Sequence, residues 1–200
     1  MIDEGYTKFV VDWTRTSPLE HVAVADLIHW RRPLYAAGLI GQYEDVGIGF
    51  GNISVRTSAD GQFIISGTQT GHLADLGSEH FAQVTEFNLG ANSVTCSGPV
   101  QASSESMTHA TIYSLDASIN AVVHIHSSEM WVRLRDSLPA TRAEVAYGTP
   151  EMAEEFERLY RNTEFPTTGV AIMAGHEEGL ISIGQSLQEA ATRVLALVSS

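Results

Sequence analysis

The chain is poor in cysteine and in long apolar runs, and each shortage excludes a class of protein. Its 200 residues contain one cysteine, Cys96, so no disulfide can form within the chain, as expected of a reducing compartment. No run approaches the roughly 20 apolar residues that a membrane helix needs. The N-terminus has neither the basic start nor the apolar stretch of a secretory signal. We therefore expect a cytoplasmic protein that does not enter membranes.

Basic residues are scarce as well. Eleven lysines and arginines stand against 24 acidic residues, which gives a formal net charge of −13. Such a charge repels nucleic acid and anionic lipid, so neither is an expected partner. A small anionic substrate could still bind if backbone N–H groups, hydroxyls or a single arginine supplied local donors.

The chain has one lysine, Lys8, and this bears on mechanism. A Schiff-base enzyme needs a lysine in a desolvated pocket. Lys8 stands near a terminus that we expect to be loosely held, which makes it a poor candidate. If the protein acts on a carbonyl compound, a metal ion is therefore the better electron sink.

Helix and strand patterns alternate along the chain, and no linker or repeat interrupts them, so we expect one domain over residues 1–200. Apolar residues at helical spacing predict a helix over 18–37, and a β-branched run predicts a buried strand over 121–126. Further helix starts are predicted at Ser103–Glu105, Thr149–Pro150 and Ser186–Glu189, and shorter strands at 53–56, 63–65, 81–87, 93–96, 170–173 and 180–183. This interleaving favours a sheet covered by helices on both faces.

Two histidines on the predicted strand could form half of a metal site. His124 and His126 are two residues apart, so both side chains leave the same face of the strand. The pair could bind a divalent ion, but it fits equally well two histidines that are hydrogen-bonded to backbone. His176, in the turn 174–179, could supply a third ligand. Three histidines with no cysteine nearby suit an open catalytic zinc site rather than a structural one.

Glu105 is the candidate general base or fourth metal ligand. It follows two serines at a predicted helix start, where donors gather around an anion, although an ordinary first-turn glutamate would also stand there. His109, one helical turn later, is expected in the core or in contact with a ligand residue, and not as a ligand itself. Three turns of small residues could jointly bind a phosphate through N–H groups and hydroxyls, although such turns are common. These turns are Gly51–Ser54, Ser66–Thr68 and Ser103–Ser104.

Taken in order, these motifs resemble the class II aldolase/adducin family. The resemblance covers almost the whole chain and rests on Gly51–Arg56, Ser103–Glu105 with His109, Asn120–His126, Gly148–Glu151, and His176 followed by Gly184 and Leu187–Ala190. It implies an α/β fold, a three-layer α/β/α sandwich with a largely antiparallel central sheet, assembled as a homotetramer. The family includes L-fuculose-phosphate aldolase, L-ribulose-5-phosphate 4-epimerase, methylthioribulose-phosphate dehydratase and the non-catalytic head of adducin.

The resemblance also implies a site. Zn²⁺, or another divalent metal, would be held by His124, His126 and His176, and Glu105 would be the catalytic acid/base. The implied phosphate-binding residues are Asn52, Ser66, Gly67, Ser103 and Ser104. The implied reaction is retro-aldol cleavage of a small sugar phosphate, in which the metal stabilises an enediolate. An epimerase or dehydratase on the same site, or a non-catalytic adducin-like interaction module, are the alternatives.

The sequence departs from the family pattern in three places that bear on which substrate the protein uses. The segment after His126 is shorter than in the sugar-phosphate aldolases. The tyrosine that those enzymes use as a proton donor has no clear counterpart, and Tyr147 is the nearest. The turn after His176 carries Glu177 and Glu178 where many members continue directly with glycine. Because all three histidines and the glutamate are present, the sequence favours an enzyme over an interaction module.

Overall fold

A computed structural model describes residues 6–198, which form a central sheet between two layers of helices. The strands are β1 (Val10–Arg15), β2 (Gly41–Tyr43), β3 (Ile48–Phe50), β4 (Asn52–Arg56), β5 (Phe63–Ser66), β6 (Phe81–Asn88), β7 (Ser93–Gly98), β8 (Ala121–His126), β9 (Val170–Ile172) and β10 (Gly179–Gly184). The α-helices are α1 (His21–Ala36), α2 (Ser106–Leu115), α3 (Ser128–Leu134), α4 (Pro150–Asn162), α5 (Phe165–Thr168) and α6 (Leu187–Val198). None of these helices is long and apolar enough to cross a membrane.

Eight strands make the central sheet, in the order β1-β7-β6-β5-β4-β8-β10-β9, and β2 and β3 form a separate hairpin. Within this sheet β1 pairs with β7 in parallel, and every other neighbouring pair is antiparallel. The prediction of a largely antiparallel sheet is therefore confirmed.

The two faces of the sheet bury different side chains, because successive residues of a strand point in opposite directions. Along β5, Phe63 and Ile65 pack with residues of α2, α4 and α5. Ile64, between them, packs with residues of α1, α3 and α6. Two cores thus lie on opposite sides of one sheet, which confirms the predicted three-layer α/β/α sandwich.

The helix starts follow from local side-chain chemistry. The helix predicted over 18–37 is α1. Thr149 Oγ1 accepts from the Met152 N–H at the start of α4, at 3.3 Å. Ser186 Oγ accepts from the Glu189 N–H at 3.2 Å at the start of α6. Both α4 and α6 were predicted from the residues that cap them.

The strand β1, the β2–β3 hairpin and the short helices α3 and α5 were not predicted. Strand β1 is an edge strand in which Val10 and Trp13 are exposed, so its apolar residues do not alternate with polar ones. The hairpin strands have three residues each in a glycine-rich segment, in which the sequence pattern predicted no strand before 53–56. In both cases the partner strand, rather than local periodicity, makes the strand.

The register around β8 places the site. Asn52 of β4 stands opposite His124, and Gly179 of β10 stands opposite His126. Residues that are opposite in antiparallel strands point to the same face, so all four belong to one face. That face carries Val122, which packs in the α2 and α4 core. The two histidines therefore point towards the N-terminus of α2, where Glu105 lies.

Candidate active site

Three histidines converge at the end of β8. The Nε2 atoms of His124 and His126 are 3.0 Å apart, and those of His126 and His176 are 3.1 Å apart. All three side chains are buried, and their ligand atoms lie within 4.8 Å of one another. The structure thus brings together the three residues that the sequence analysis selected, and we call them the histidine cluster.

The donor set of this cluster fits a divalent ion. His124 Nδ1 lies 3.2 Å from the Leu180 carbonyl oxygen. Since a carbonyl only accepts, Nδ1 carries the proton and Nε2 presents its lone pair to the other two rings. A tetrahedral zinc with Zn–N bonds of about 2.0–2.1 Å would hold its nitrogen ligands roughly 3.3 Å apart. The His124–His126 and His126–His176 separations, 3.0 and 3.1 Å, are close to that value.

A tight turn brings His176 to the cluster. The His176 N–H donates to the Met173 carbonyl at 3.0 Å, and its own carbonyl accepts from the Gly179 N–H at 2.9 Å. A Cβ atom on Gly179 would lie 2.7 Å from His176 Cδ2 and 3.3 Å from His124 Cε1. Glycine at this position is therefore what allows the two rings to approach from adjacent elements.

Glu105 lies beside the cluster and is fully buried. It occupies the N-cap position of α2, where its N–H donates to Ser103 Oγ at 3.3 Å. Its Oε1 is 3.6 Å from His176 Nε2. A carboxylate at this distance can approach an ion held by the histidines or exchange a proton with a molecule bound there.

His109 belongs to a buried hydrogen-bond network next to the candidate site. Its Nδ1 and the Tyr113 hydroxyl each lie 2.7 Å from Ser54 Oγ, so a buried network ties α2 to β4. Burial lowers the pKa of the His109 imidazole to about 3, which keeps the ring neutral at physiological pH. The structure confirms that His109 belongs to the core.

Tyr147 also packs on the cluster. Its ring centroid is 4.4 Å from that of His176, and its hydroxyl accepts from the Tyr6 N–H at 3.1 Å and donates to the Tyr6 carbonyl at 3.0 Å. Lys8 Nζ lies 4.0 Å from the centroid of the same ring. Lys8, the one lysine of the chain, is therefore separated from His176 by the Tyr147 ring.

A small polar pocket adjoins the cluster through Asn52 and Ser104. We call it the glycine-lined pocket, and its residues are Gly49, Gly51, Asn52, Gly67, Thr68, Gln69, Thr70, Gly71, Ser103 and Ser104. Four of the five residues proposed to bind phosphate line it. Ser66 does not, because its hydroxyl accepts from the Ile53 N–H at 3.2 Å and thereby joins β5 to β4.

Of the residues that line this pocket, Gln69, Thr70 and Gly71 of the loop 68–71 and Gly49 of the hairpin were not selected from the sequence. The hairpin packs directly on the loop, since a Cβ on Gly71 would lie 2.0 Å from the Gly41 carbonyl oxygen. The Gly49 N–H donates to Gln69 Oε1 at 3.3 Å, and Gln69 adopts a positive φ of 57°. In the sequence, the run of small polar residues that continues the Ser66–Gly67 turn is the feature that could have indicated this loop.

A buried arginine holds this loop. Arg31, 2% exposed, donates to the carbonyl oxygens of Thr70, Gly71 and Ala74 at 3.0–3.2 Å. Desolvation lowers the pKa of its guanidinium to about 10, so it remains charged at neutral pH. Arg31 thus combines a structural contact to the loop with a positive charge next to the glycine-lined pocket.

We expect Arg31→Met to lower the free energy of unfolding by about 3 kcal/mol, because three carbonyls lose a charged donor. Arg32→Met is the matched control. Its guanidinium is exposed and pairs with Asp75 at 2.8 Å on the surface, so its loss is expected to cost less than about 1 kcal/mol. Urea unfolding followed by circular dichroism measures both values. Equal effects of the two substitutions would contradict the role assigned to Arg31.

Comparison with known proteins gives one family and several similar structures. A family model described as the class II aldolase and adducin N-terminal domain matches residues 33–200. No curated protein sequence matches the chain. At 24% identity, L-fuculose-1-phosphate aldolase from Thermus thermophilus aligns over 89% of this chain and 90% of its own, with a TM-score of 0.62.

Two further structures are similar at lower identity. A sugar-phosphate aldolase from Thermotoga maritima is 14% identical over 89% of this chain and 91% of its own, with a TM-score of 0.68. YgbL from Klebsiella pneumoniae, named as a candidate aldolase, epimerase or decarboxylase, is 17% identical over 89% and 86%, with a TM-score of 0.65. At these identities the likeness shows the fold.

Proposed function

Because the chain belongs to the class II aldolase and adducin family, we propose that it is a zinc-dependent aldolase that cleaves a small sugar phosphate by a retro-aldol reaction. The observation that carries the proposal is the convergence of three buried histidine Nε2 atoms, with the Glu105 carboxylate 3.6 Å from one of them. Buried imidazoles and a buried carboxylate are costly to desolvate. An interaction module without catalysis would have no need to keep them, which favours an enzyme.

The histidines and Glu105 have different roles in the proposed reaction. A divalent ion held by His124, His126 and His176 would supply the positive charge that stabilises negative charge developing on substrate oxygens. Glu105 takes or returns the proton at the carbon where the bond breaks. Its burial keeps water away from that carbon, so the proton is exchanged with the carboxylate rather than with solvent.

We assign the substrate's phosphate to the glycine-lined pocket. Small residues let a phosphate approach the backbone, and the hydroxyls of Ser103 and Ser104 can donate to its oxygens. The pocket adjoins Glu105 through Ser104, so a phosphate bound there would place the rest of a short sugar towards the histidine cluster. Arg31 supplies positive charge next to the pocket, since its guanidinium donates to the carbonyl oxygens of Thr70 and Gly71, which line it.

Ser104→Ala is expected to raise the KM for a phosphorylated ketose roughly 10- to 100-fold, the value of one hydrogen bond to a charged group. The KM for the unphosphorylated analogue should stay the same, because the lost donor contacts only the phosphate. Steady-state assays of both substrates measure the difference, and Ser137→Ala, at an exposed serine, is the control. If the enzyme turned over both substrates with equal KM, the phosphate assignment would be wrong.

The bonding of Tyr147 favours a second candidate, an epimerase or dehydratase with the same metal and carboxylate. Cleavage requires a group that takes the proton from the substrate hydroxyl as it becomes the aldehyde, and a Tyr147 hydroxyl held by both backbone groups of Tyr6 does not suit that role. Inversion by removal and return of a proton at carbon, or loss of water, does not require a base at that hydroxyl. A screen of ketose phosphates with product analysis decides between cleavage, inversion and loss of water. Assembly as a homotetramer and a cytoplasmic location stay predictions.

A further inference from the structure

We propose that Tyr43 and Glu178 form a positioning relay that orients His126 and sets its tautomer for metal binding. The inference rests on the proposed metal site and assigns a role to residues outside its ligand set. Tyr43 lies at the end of β2 in the hairpin, and Glu178 lies in the turn between β9 and β10. Two segments that are far apart in sequence therefore meet at one ligand.

The hydrogen bonds define the direction of the relay. The Tyr43 hydroxyl donates to Glu178 Oε2 at 2.7 Å, since a carboxylate can only accept. The same hydroxyl lies 3.0 Å from His126 Nδ1. With its one proton given to the carboxylate, the hydroxyl oxygen accepts from His126 Nδ1–H. The histidine is thereby held with its proton on Nδ1.

This tautomer is the one that the histidine cluster requires. A proton on Nδ1 leaves the lone pair of His126 on Nε2, the atom that lies 3.0 Å and 3.1 Å from the other two rings. A hydrogen bond to a carboxylate-linked hydroxyl also increases the electron density of the ring, which strengthens a metal–nitrogen bond. His124 reaches the same tautomer through a backbone carbonyl, whereas His126 depends on two side chains.

The backbone of Glu178 supports a functional role. Glu178 adopts φ +69°, in the left-handed region that favours glycine and is uncommon for a long side chain. Such strain persists where the surroundings require a particular residue. The Glu178 carbonyl accepts from the Ser127 N–H at 2.9 Å, next to His126, so the turn is fixed to the strand end. The hydrogen bond from Tyr43 to its carboxylate explains why glutamate occupies a position where glycine would fit without strain.

Packing against Phe50 holds the Tyr43 ring in place beside His126. Its ring centroid lies 4.7 Å from that of Phe50, and the Phe50 centroid lies 5.5 Å from that of His126. The hairpin thus supplies an apolar wall on one side of His126 and a hydroxyl at its Nδ1. Replacing the hydroxyl alone leaves this wall in place, which makes Tyr43→Phe a clean test.

The test compares the zinc affinity of the full-length protein and its variants by chelator competition. Tyr43→Phe and Glu178→Gln are each expected to weaken Zn²⁺ binding roughly 10- to 100-fold, the range found for outer-shell partners of metal-bound histidines. The double variant should lose no more than the weaker-binding single variant, because both act through one hydrogen-bond chain. Glu177→Gln is the matched control, since it makes the same charge change on an exposed neighbour in the same turn and should leave the affinity unchanged.

Two further measurements separate positioning from general damage to the fold. The visible absorption of the Co²⁺-loaded protein should shift in Tyr43→Phe and Glu178→Gln but not in Glu177→Gln, because only the relay alters His126. Glu178→Gly should raise the melting temperature by relieving the positive φ, yet weaken Zn²⁺ binding. A purely structural role would move stability and affinity in the same direction, and that result would overturn the relay.

The outcomes also distinguish this inference from the proposed function. If the unaltered protein binds no Zn²⁺, the proposed metal site fails. If it binds Zn²⁺ tightly and the Tyr43 and Glu178 variants match the Glu177 control in affinity and Co²⁺ spectrum, the metal site stands and the relay is refuted.

Discussion

His124→Ala is expected to reduce the metal content from about one ion per chain to nearly none, and to abolish turnover with it. His124 lies on a central strand with its side chain fully buried, and its Nε2 is 3.0 Å from that of His126, so the substitution removes one of the three nitrogen ligands. Two imidazoles bind zinc more weakly than three, too weakly to retain the ion at the protein concentration of an assay. Elemental analysis of the purified protein, before and after incubation with zinc, measures the change.

The control for this prediction is His72→Ala, which removes an exposed histidine far from the cluster in sequence. Because a buried cavity could also destabilise the strand, His124→Gln serves as a variant of more similar volume, and circular dichroism reports whether each protein is folded. A folded His124 variant that retains one zinc per chain would refute the assignment of His124 as a ligand.

Glu105→Gln is expected to keep the metal and lower kcat roughly 10²- to 10⁴-fold, the usual contribution of a general acid or base. Glutamine has nearly the same shape, so α2 should begin at the same residue, but its amide cannot accept and return a proton. Zinc content and steady-state turnover on the same sample measure the two effects. The expected result is a protein that contains metal but is almost inactive.

Glu151→Gln is the matched control, because Glu151 stands in the first turn of α4 as Glu105 stands at the start of α2, but is exposed. Its activity should equal that of the unaltered protein. Loss of zinc from Glu105→Gln would make the carboxylate chiefly a ligand, and activity that survives the substitution would remove Glu105 from the reaction.

Much of the site followed from local sequence patterns. The spacing of His124 and His126 on a β-branched strand indicated one shared face, because side chains alternate along any strand. Glu105 was selected from its place after two serines at a helix start, and the structure puts it at the N-cap of that helix. The structure agrees with these two placements, which depend on residues that are near each other in the chain.

The parts that were missed depend on segments that are distant in sequence. The hairpin holding Tyr43 was not predicted, since its short strands pair with each other and pack on residues 69–71. Arg31 belongs to a helical pattern that says nothing of the loop carbonyls it binds some 40 residues later. Nothing in the local pattern around Glu178 indicates that its carboxylate meets Tyr43.

The sequence by itself determined the family, the order of most strands and helices, and the identity of three candidate ligands and one carboxylate. Those properties are set by periodicity, by capping chemistry and by residue type, which each segment carries with it. Only the tertiary structure decided which nitrogen of each histidine faces the cluster, which turns line the pocket and what holds them. Such properties arise from register and packing between elements, and a change of one residue in register would point a strand's side chains to the opposite face.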